Sequence, residues 1–130
     1  MPPADTVLVI RSDGTASLIG WPDTDDARRA VIAVEVGAVT RMRRCGKGIL
    51  GFVRDDGAAE VGNDSSSGSP RDDAVNTFAA AAYAEQGVEL EAPLRGPVLF
   101  ARNPSKGSVV KPLTAAQTAN LLVVTGTRVV

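Results

Sequence analysis

A basic cluster near the middle of the chain holds residues that could contact a nucleic acid. On a β-hairpin, cations of this kind would lie along a phosphate backbone. No aromatic side chains interleave with the cluster, so it offers no surface on which bases could stack. A charged strand edge that prevents aggregation explains the same residues and is the favoured interpretation. The cluster consists of Arg41, Arg43, Arg44 and Lys47.

A glycine pattern follows the cluster directly. Gly46, Gly48 and Gly51 have the spacing G-x-G-x-x-G, which lets backbone N–H groups approach a phosphate closely. A dinucleotide fold needs a helix after this loop, whereas a strand is expected here. The Walker motif and the kinase catalytic motifs are also missing. A glycine-rich hairpin turn is the favoured interpretation, and nucleotide binding is the alternative.

Cys45 is the single cysteine, and the chain has no histidine. These two facts exclude zinc sites of the Cys/His type and a Cys–His nucleophile pair. The cations next to Cys45 would lower its thiol pKa if they faced it. An ordinary structural cysteine at the end of a strand is favoured. We therefore expect no catalytic residue, no metal site and no cofactor.

The paired acids and the lone tryptophan are best explained by structure. Three acid pairs fall at expected turns or helix starts, where carboxylates cap N–H groups. Trp21 precedes Pro22 at an element junction, where a large aromatic side chain usually belongs to the core. The pairs are Asp25/Asp26, Asp55/Asp56 and Asp72/Asp73.

Composition limits the class of protein. The chain has 130 residues, 44% of them hydrophobic, which suits one globular domain. Its net charge of −1 gives no strong field toward nucleic acid or acidic membranes. No apolar run approaches the roughly 20 residues of a membrane span, and the first residues do not resemble a signal peptide. We expect a cytoplasmic protein that does not enter the membrane.

Hydrophobic periodicity and turn residues predict a mixed order of strands and helices. The helix with the clearest pattern covers Asp73–Gln86. We expect Asp72 or Asp73 to cap it, and Gly87 to end it. Its apolar face would consist of Val75, Phe78, Ala79, Ala82 and Tyr83.

An earlier helix, over residues 23–36, would face the core with Ala27, Ala30, Val31 and Val34. A third helix, 114–122, opens with the capping box of Thr114 and Gln117. Strands are expected over 6–10, 15–21, 38–45, 49–54 and 97–101, with a terminal hairpin or frayed tail over 123–130.

These elements predict an α+β fold over residues 1–130. A mixed or antiparallel sheet would carry the helices 23–36 and 73–86, and the third helix would cover an edge. The polar segment at about 62–72 is expected to be a mobile loop.

Three short motifs resemble a small phage- and plasmid-borne family, a domain of unknown function found in Gram-positive bacteria and their mobile elements. Val36–Val39 is similar to the family's Val-Gly-Gly turn, and Ile49–Gly57 to its strand with an acidic-Gly turn. Asn76 with Ala79, followed by Gly96–Leu99, resembles its Asn-x-x-Ala helix and Gly-x-Val strand. The resemblance spans roughly residues 6–103. The resemblance implies a small α+β accessory protein of a mobile element, and it implies no particular activity.

We therefore expect a small accessory or regulatory protein that acts by binding an unknown protein partner. The alternatives are a nucleic-acid-binding module that uses residues 41–47 and a nucleotide-binding protein that uses the turn 46–51. Exposed sheet edges could also pair between two copies of the chain, so a homodimer is a further alternative.

Overall fold

The computed structural model describes residues 6–37, 40–46, 48–54, 75–90, 94–102 and 110–130. Within these ranges the chain forms three helices and one six-stranded mixed sheet, so the predicted α+β fold is confirmed. The polar segment 62–72 and the acid pairs at 55–56 and 72–73 lie outside the described residues. The elements are β1 (Thr6–Ile10), β2 (Thr15–Gly20), α1 (Asp25–Glu35), β3 (Thr40–Gly46), β4 (Ile49–Arg54), α2 (Thr77–Glu85), β5 (Val98–Arg102), α3 (Ala115–Thr125) and β6 (Arg128–Val129).

Strand β1 lies inside the sheet and is buried along its whole length. The strand order is β3–β4–β5–β1–β2–β6, with antiparallel pairs except for the parallel pair of β2 and β6. A strand that is apolar at successive positions needs cover on both faces of its sheet. The run Val7–Ile10 thus correctly predicts a central strand.

Two clusters of apolar residues cover the two faces of the sheet. On one face, called here the α2–α3 face, Leu8 and Ile10 pack in a cluster that includes Tyr83 of α2 and Leu121 of α3. On the opposite face, the α1 face, Val7 and the rest of a second cluster pack with α1 and its C-cap residue Val36. Alternate residues of β1 point to opposite faces, which divides them between the clusters.

Helix α2 begins later than predicted. Its N-cap is Asn76, whose side chain accepts a hydrogen bond from the Ala79 N–H group, so capping by Asp72 or Asp73 is wrong. Val75 lies before the helix and is 40% exposed. The rest of the predicted face is confirmed at its three buried residues, Ala79, Ala82 and Tyr83.

Helix α1 packs through only part of the predicted face. Thr24 caps it, Asp25 and Asp26 occupy its first turn as expected, and none of its residues is buried. Val34 is 79% exposed, whereas Val31 and Ile32 contact the α1-face cluster. The predicted residues Ala30 and Val34 are exposed, and Ile32, which the prediction omits, takes part in the packing.

Helix α3 is longer than predicted, and it includes residues 123–125, for which the sequence predicts a terminal hairpin or a frayed tail. The capping box of Thr114 and Gln117 is confirmed, but the helix continues to Thr125 and ends at Gly126, whose φ is 71°. Residues 128–129 then pair with the start of β2 as a parallel edge strand. Helix α3 lies beside α2 on the sheet rather than over an edge.

Candidate binding edge

Strand β3 forms one edge of the sheet and carries the basic cluster. Six of its seven residues pair with β4, and Cys45 lies at an irregularity between Arg44 and Gly46; β4 is its one neighbour in the sheet among the residues that the structure describes. The opposite end of the sheet is different, because the two-residue strand β6 covers the start of β2 there. Strand β3 therefore offers a long row of backbone groups without a second neighbour in the described part of the chain.

The arginines of β3 point to both sides of the sheet. Cross-strand partners share a face, so Arg41 and Arg43 lie with Val53 and Gly51 on the α2–α3 face. Arg44 and Met42 point to the α1 face. The basic cluster of the sequence is thus divided by the pleat of the strand and does not form one patch on one face.

Exposure differs along the strand. Arg41 and Arg44 are exposed, Arg43 is half-buried, and Lys47 lies outside the described residues. Met42 is 59% exposed between two arginines, which is unusual for a large apolar side chain on a sheet edge. Sequence reasoning assigns Met42 no role, although its period-two position between arginines is the signal that could have found it.

The glycines at the end of β3 serve the hairpin turn. Gly46 and Gly48 have φ values of 91° and 76°, which residues with a Cβ rarely adopt. Strand β4 follows the turn at once, as expected. The side-chain Nε2 of Gln117 lies 3.5 Å from the Gly48 carbonyl oxygen, so the start of α3 sits close to the turn.

Gly51 is placed in the interior of β4, where the Tyr83 ring reaches the sheet. A Cβ at Gly51 would overlap the Tyr83 hydroxyl oxygen. That hydroxyl donates a hydrogen bond of 3.0 Å to the backbone carbonyl of Arg43, the cross-strand partner of Gly51. All three glycines of the pattern therefore have a role within the hairpin and its packing, and nucleotide binding remains a prediction from the sequence alone.

Cys45 belongs to the core. Its side chain is fully buried in the α2–α3-face cluster, and this burial raises the pKa of the thiol to about 11. A thiolate favoured by neighbouring cations is therefore wrong, because the buried surroundings of Cys45 disfavour the charged form of the thiol. The ordinary structural cysteine is confirmed, and so is Trp21 as a buried core residue.

Comparisons with protein-family models, curated proteins and solved structures find no match to this chain. The resemblance to the phage- and plasmid-borne family thus remains a prediction. Among the described residues, no three or more histidine, cysteine or acidic side chains are grouped to hold a metal ion. The helices that the structure describes are too short or too polar to cross a membrane.

Proposed function

We propose that this protein is a small accessory or regulatory protein, of the kind carried by mobile elements, that binds a partner protein along strand β3. The observation that carries the proposal is the open side of β3, which has seven residues and no second neighbour in the described ranges. An extended segment of a partner can add a strand to such an edge, and its main-chain hydrogen bonds then give affinity.

The edge is held in place before any partner arrives. Strand β3 is paired with β4 over most of its length, and the Tyr83 hydroxyl binds the Arg43 carbonyl oxygen from the helix layer. Cys45 fixes the end of the strand in the core. An edge that is already ordered loses little conformational freedom when a partner pairs with it, which favours binding.

Affinity purification of the tagged protein from a bacterial host, with and without nuclease, tests the proposal when it is combined with hydrogen exchange. We expect a retained protein that survives nuclease and slows amide exchange in β3 of the purified complex. Protection confined to another element would contradict the β3 surface. Proteins that are lost on nuclease treatment would favour the nucleic-acid alternative at the same arginines, and an empty eluate would oppose binding altogether.

A further inference from the structure

We infer that the partner segment is an extended acidic strand, with two carboxylates three residues apart and an apolar residue between them. This inference rests on the proposed function, because it describes what pairs with β3. Its evidence is the placement of Arg41, Met42 and Arg44 along the edge.

The spacing follows from the pleat. A strand added to β3 continues the sheet, and its residues share a face with the β3 residues directly opposite. Arg41 points to the α2–α3 face and Arg44 to the α1 face. Carboxylates that meet both arginines must therefore lie on opposite faces of the partner strand, which requires an odd spacing. The spacing of three matches positions 41 and 44.

The apolar residue of the partner strand is inferred from Met42. This side chain lies on the α1 face beside Phe52, its cross-strand partner, and is 59% exposed. A partner residue opposite Met42 would extend the apolar surface that Phe52 begins. Burial of apolar surface there would add to the main-chain hydrogen bonds.

A second copy of the chain fits this edge poorly. An antiparallel pair of β3 strands centred near Met42 or Arg43 would bring arginines of one copy against arginines of the other. Like charges directly opposite each other destabilise a strand pair. The same arginines reject basic segments, so they provide selectivity as well as attraction.

A nucleic acid is the competing occupant. A phosphate chain that lies on the α2–α3 face would meet Arg41 and the half-buried Arg43, but it would not reach Arg44, which points to the opposite face. The five aromatic side chains all fall in the described ranges, and each is buried or half-buried, so bases find no stacking platform there. Both observations favour an acidic peptide over a nucleic acid.

Two hexapeptides of identical composition test the inference by titration into the ¹⁵N-labelled protein. Thr-Glu-Thr-Val-Glu-Thr places its carboxylates three residues apart, in the order that suits antiparallel pairing with β3. Its isomer Glu-Thr-Thr-Val-Thr-Glu places its carboxylates five residues apart, a separation that no two members of the basic cluster have. We expect the first peptide to shift β3 amide resonances and to bind about fivefold more tightly than the isomer, since two exposed ion pairs contribute modestly.

Charge reversal provides the matched control. The double variant Arg41→Glu/Arg44→Glu should weaken binding of the first peptide by about tenfold or more, because attraction becomes repulsion. The variant Arg29→Glu/Arg128→Glu changes the net charge equally at two exposed positions away from β3 and should bind normally. A version of the first peptide with lysine in place of glutamate should bind the first variant best.

The outcomes separate the inference from the proposed function. Equal binding of the two isomers, or stronger β3 shifts with single-stranded oligothymidine than with either peptide, would overturn the acidic strand. If a captured protein still protects β3 from exchange, the proposed function survives that result. If no partner protects β3 from exchange, the proposed function is wrong, and the acidic strand that rests on it is wrong as well.

Discussion

At the scale of single residues, Tyr83 and Gly51 form a matched pair. The ring of Tyr83 passes over the sheet at the one position of β4 that lacks a Cβ, and its hydroxyl reaches the Arg43 carbonyl oxygen. The pKa of Tyr83 is raised well above its usual value by burial, so the hydroxyl remains a donor. The glycine thus lets a helix residue bind an edge strand across the sheet.

This pairing predicts a non-additive pair of mutations. Tyr83→Phe should lower the free energy of unfolding by about 1 kcal/mol, because it removes one hydrogen bond. Gly51→Ala should cost about 2 kcal/mol or more through overpacking. The double variant should cost less than the sum, since phenylalanine removes the oxygen that the new Cβ meets. Urea unfolding of the four proteins measures the coupling, and strict additivity would contradict the pairing.

At the scale of elements, Asn76 joins the start of α2 to strand β1 and to the segment that precedes β5. Its Nδ2 group donates to the carbonyl oxygens of Ile10 and Gly96, at 2.9 and 2.8 Å. Its Oδ1 atom accepts from the Ala79 N–H group, and its own N–H group donates to Leu94. The side chain is fully buried, so these partners replace the water it loses.

The variant Asn76→Asp tests this junction with almost no change in shape. The carboxylate can still cap α2 but cannot donate to two carbonyl oxygens, so we expect a loss of about 3 kcal/mol or more in unfolding free energy. The loss should shrink at low pH, where the protonated acid regains a donor. Asn120→Asp on the exposed side of α3 is the matched control and should change stability by less than about 0.5 kcal/mol. A similar loss in both variants would contradict the junction.

The sequence predicts elements best where a local rule decides them. The capping box of Thr114 and the boundaries of β4 depend on neighbouring residues, and both are confirmed. The start of α2 depends on hydrogen bonds from Asn76 to Ile10 and Gly96, which are remote in sequence, so the acidic pair before it is the more obvious local candidate. The face of α1 is predicted only in part for a similar reason, because contact with the sheet decides that Ile32 packs with Val31 while Val34 is exposed.

The candidate edge could be predicted only in part. The basic residues and the hairpin are visible in the sequence, and period-two alternation would place Arg41 and Arg44 on opposite faces. The position of β3 at the end of the sheet depends on β5 pairing with both β4 and β1. No local pattern contains that long-range order.

At the scale of the whole molecule, the buried thiol and phenol limit stability on the alkaline side. Burial raises the pKa of the Cys45 thiol from 9.0 to about 11, and it also raises the pKa of the Tyr83 hydroxyl. A raised pKa means that the folded state holds its proton while the unfolded chain releases it. The stability that these two protonated groups contribute is fully present below about pH 9, and it is lost progressively as the pH rises toward 11.

We therefore expect the free energy of unfolding to fall between pH 9 and pH 11. Cys45→Ala should lower stability at neutral pH through the cavity it leaves, but it should flatten the decline above pH 9 because one titrating group is gone. Denaturant unfolding across this pH range measures both effects. An unchanged slope in the variant would show that the thiol does not titrate as burial implies.

The place of β5 in the sheet bears on how the chain folds. Strands β1 and β2 form one hairpin and β3 and β4 another, and only β5 lies between them. During synthesis the two hairpins emerge first, each with an apolar strand that lacks its second neighbour. The sheet closes when residues 98–102 leave the ribosome and insert between them. Until then the nascent chain exposes the inner edges of β1 and β4, which makes this interval its period of greatest risk of aggregation.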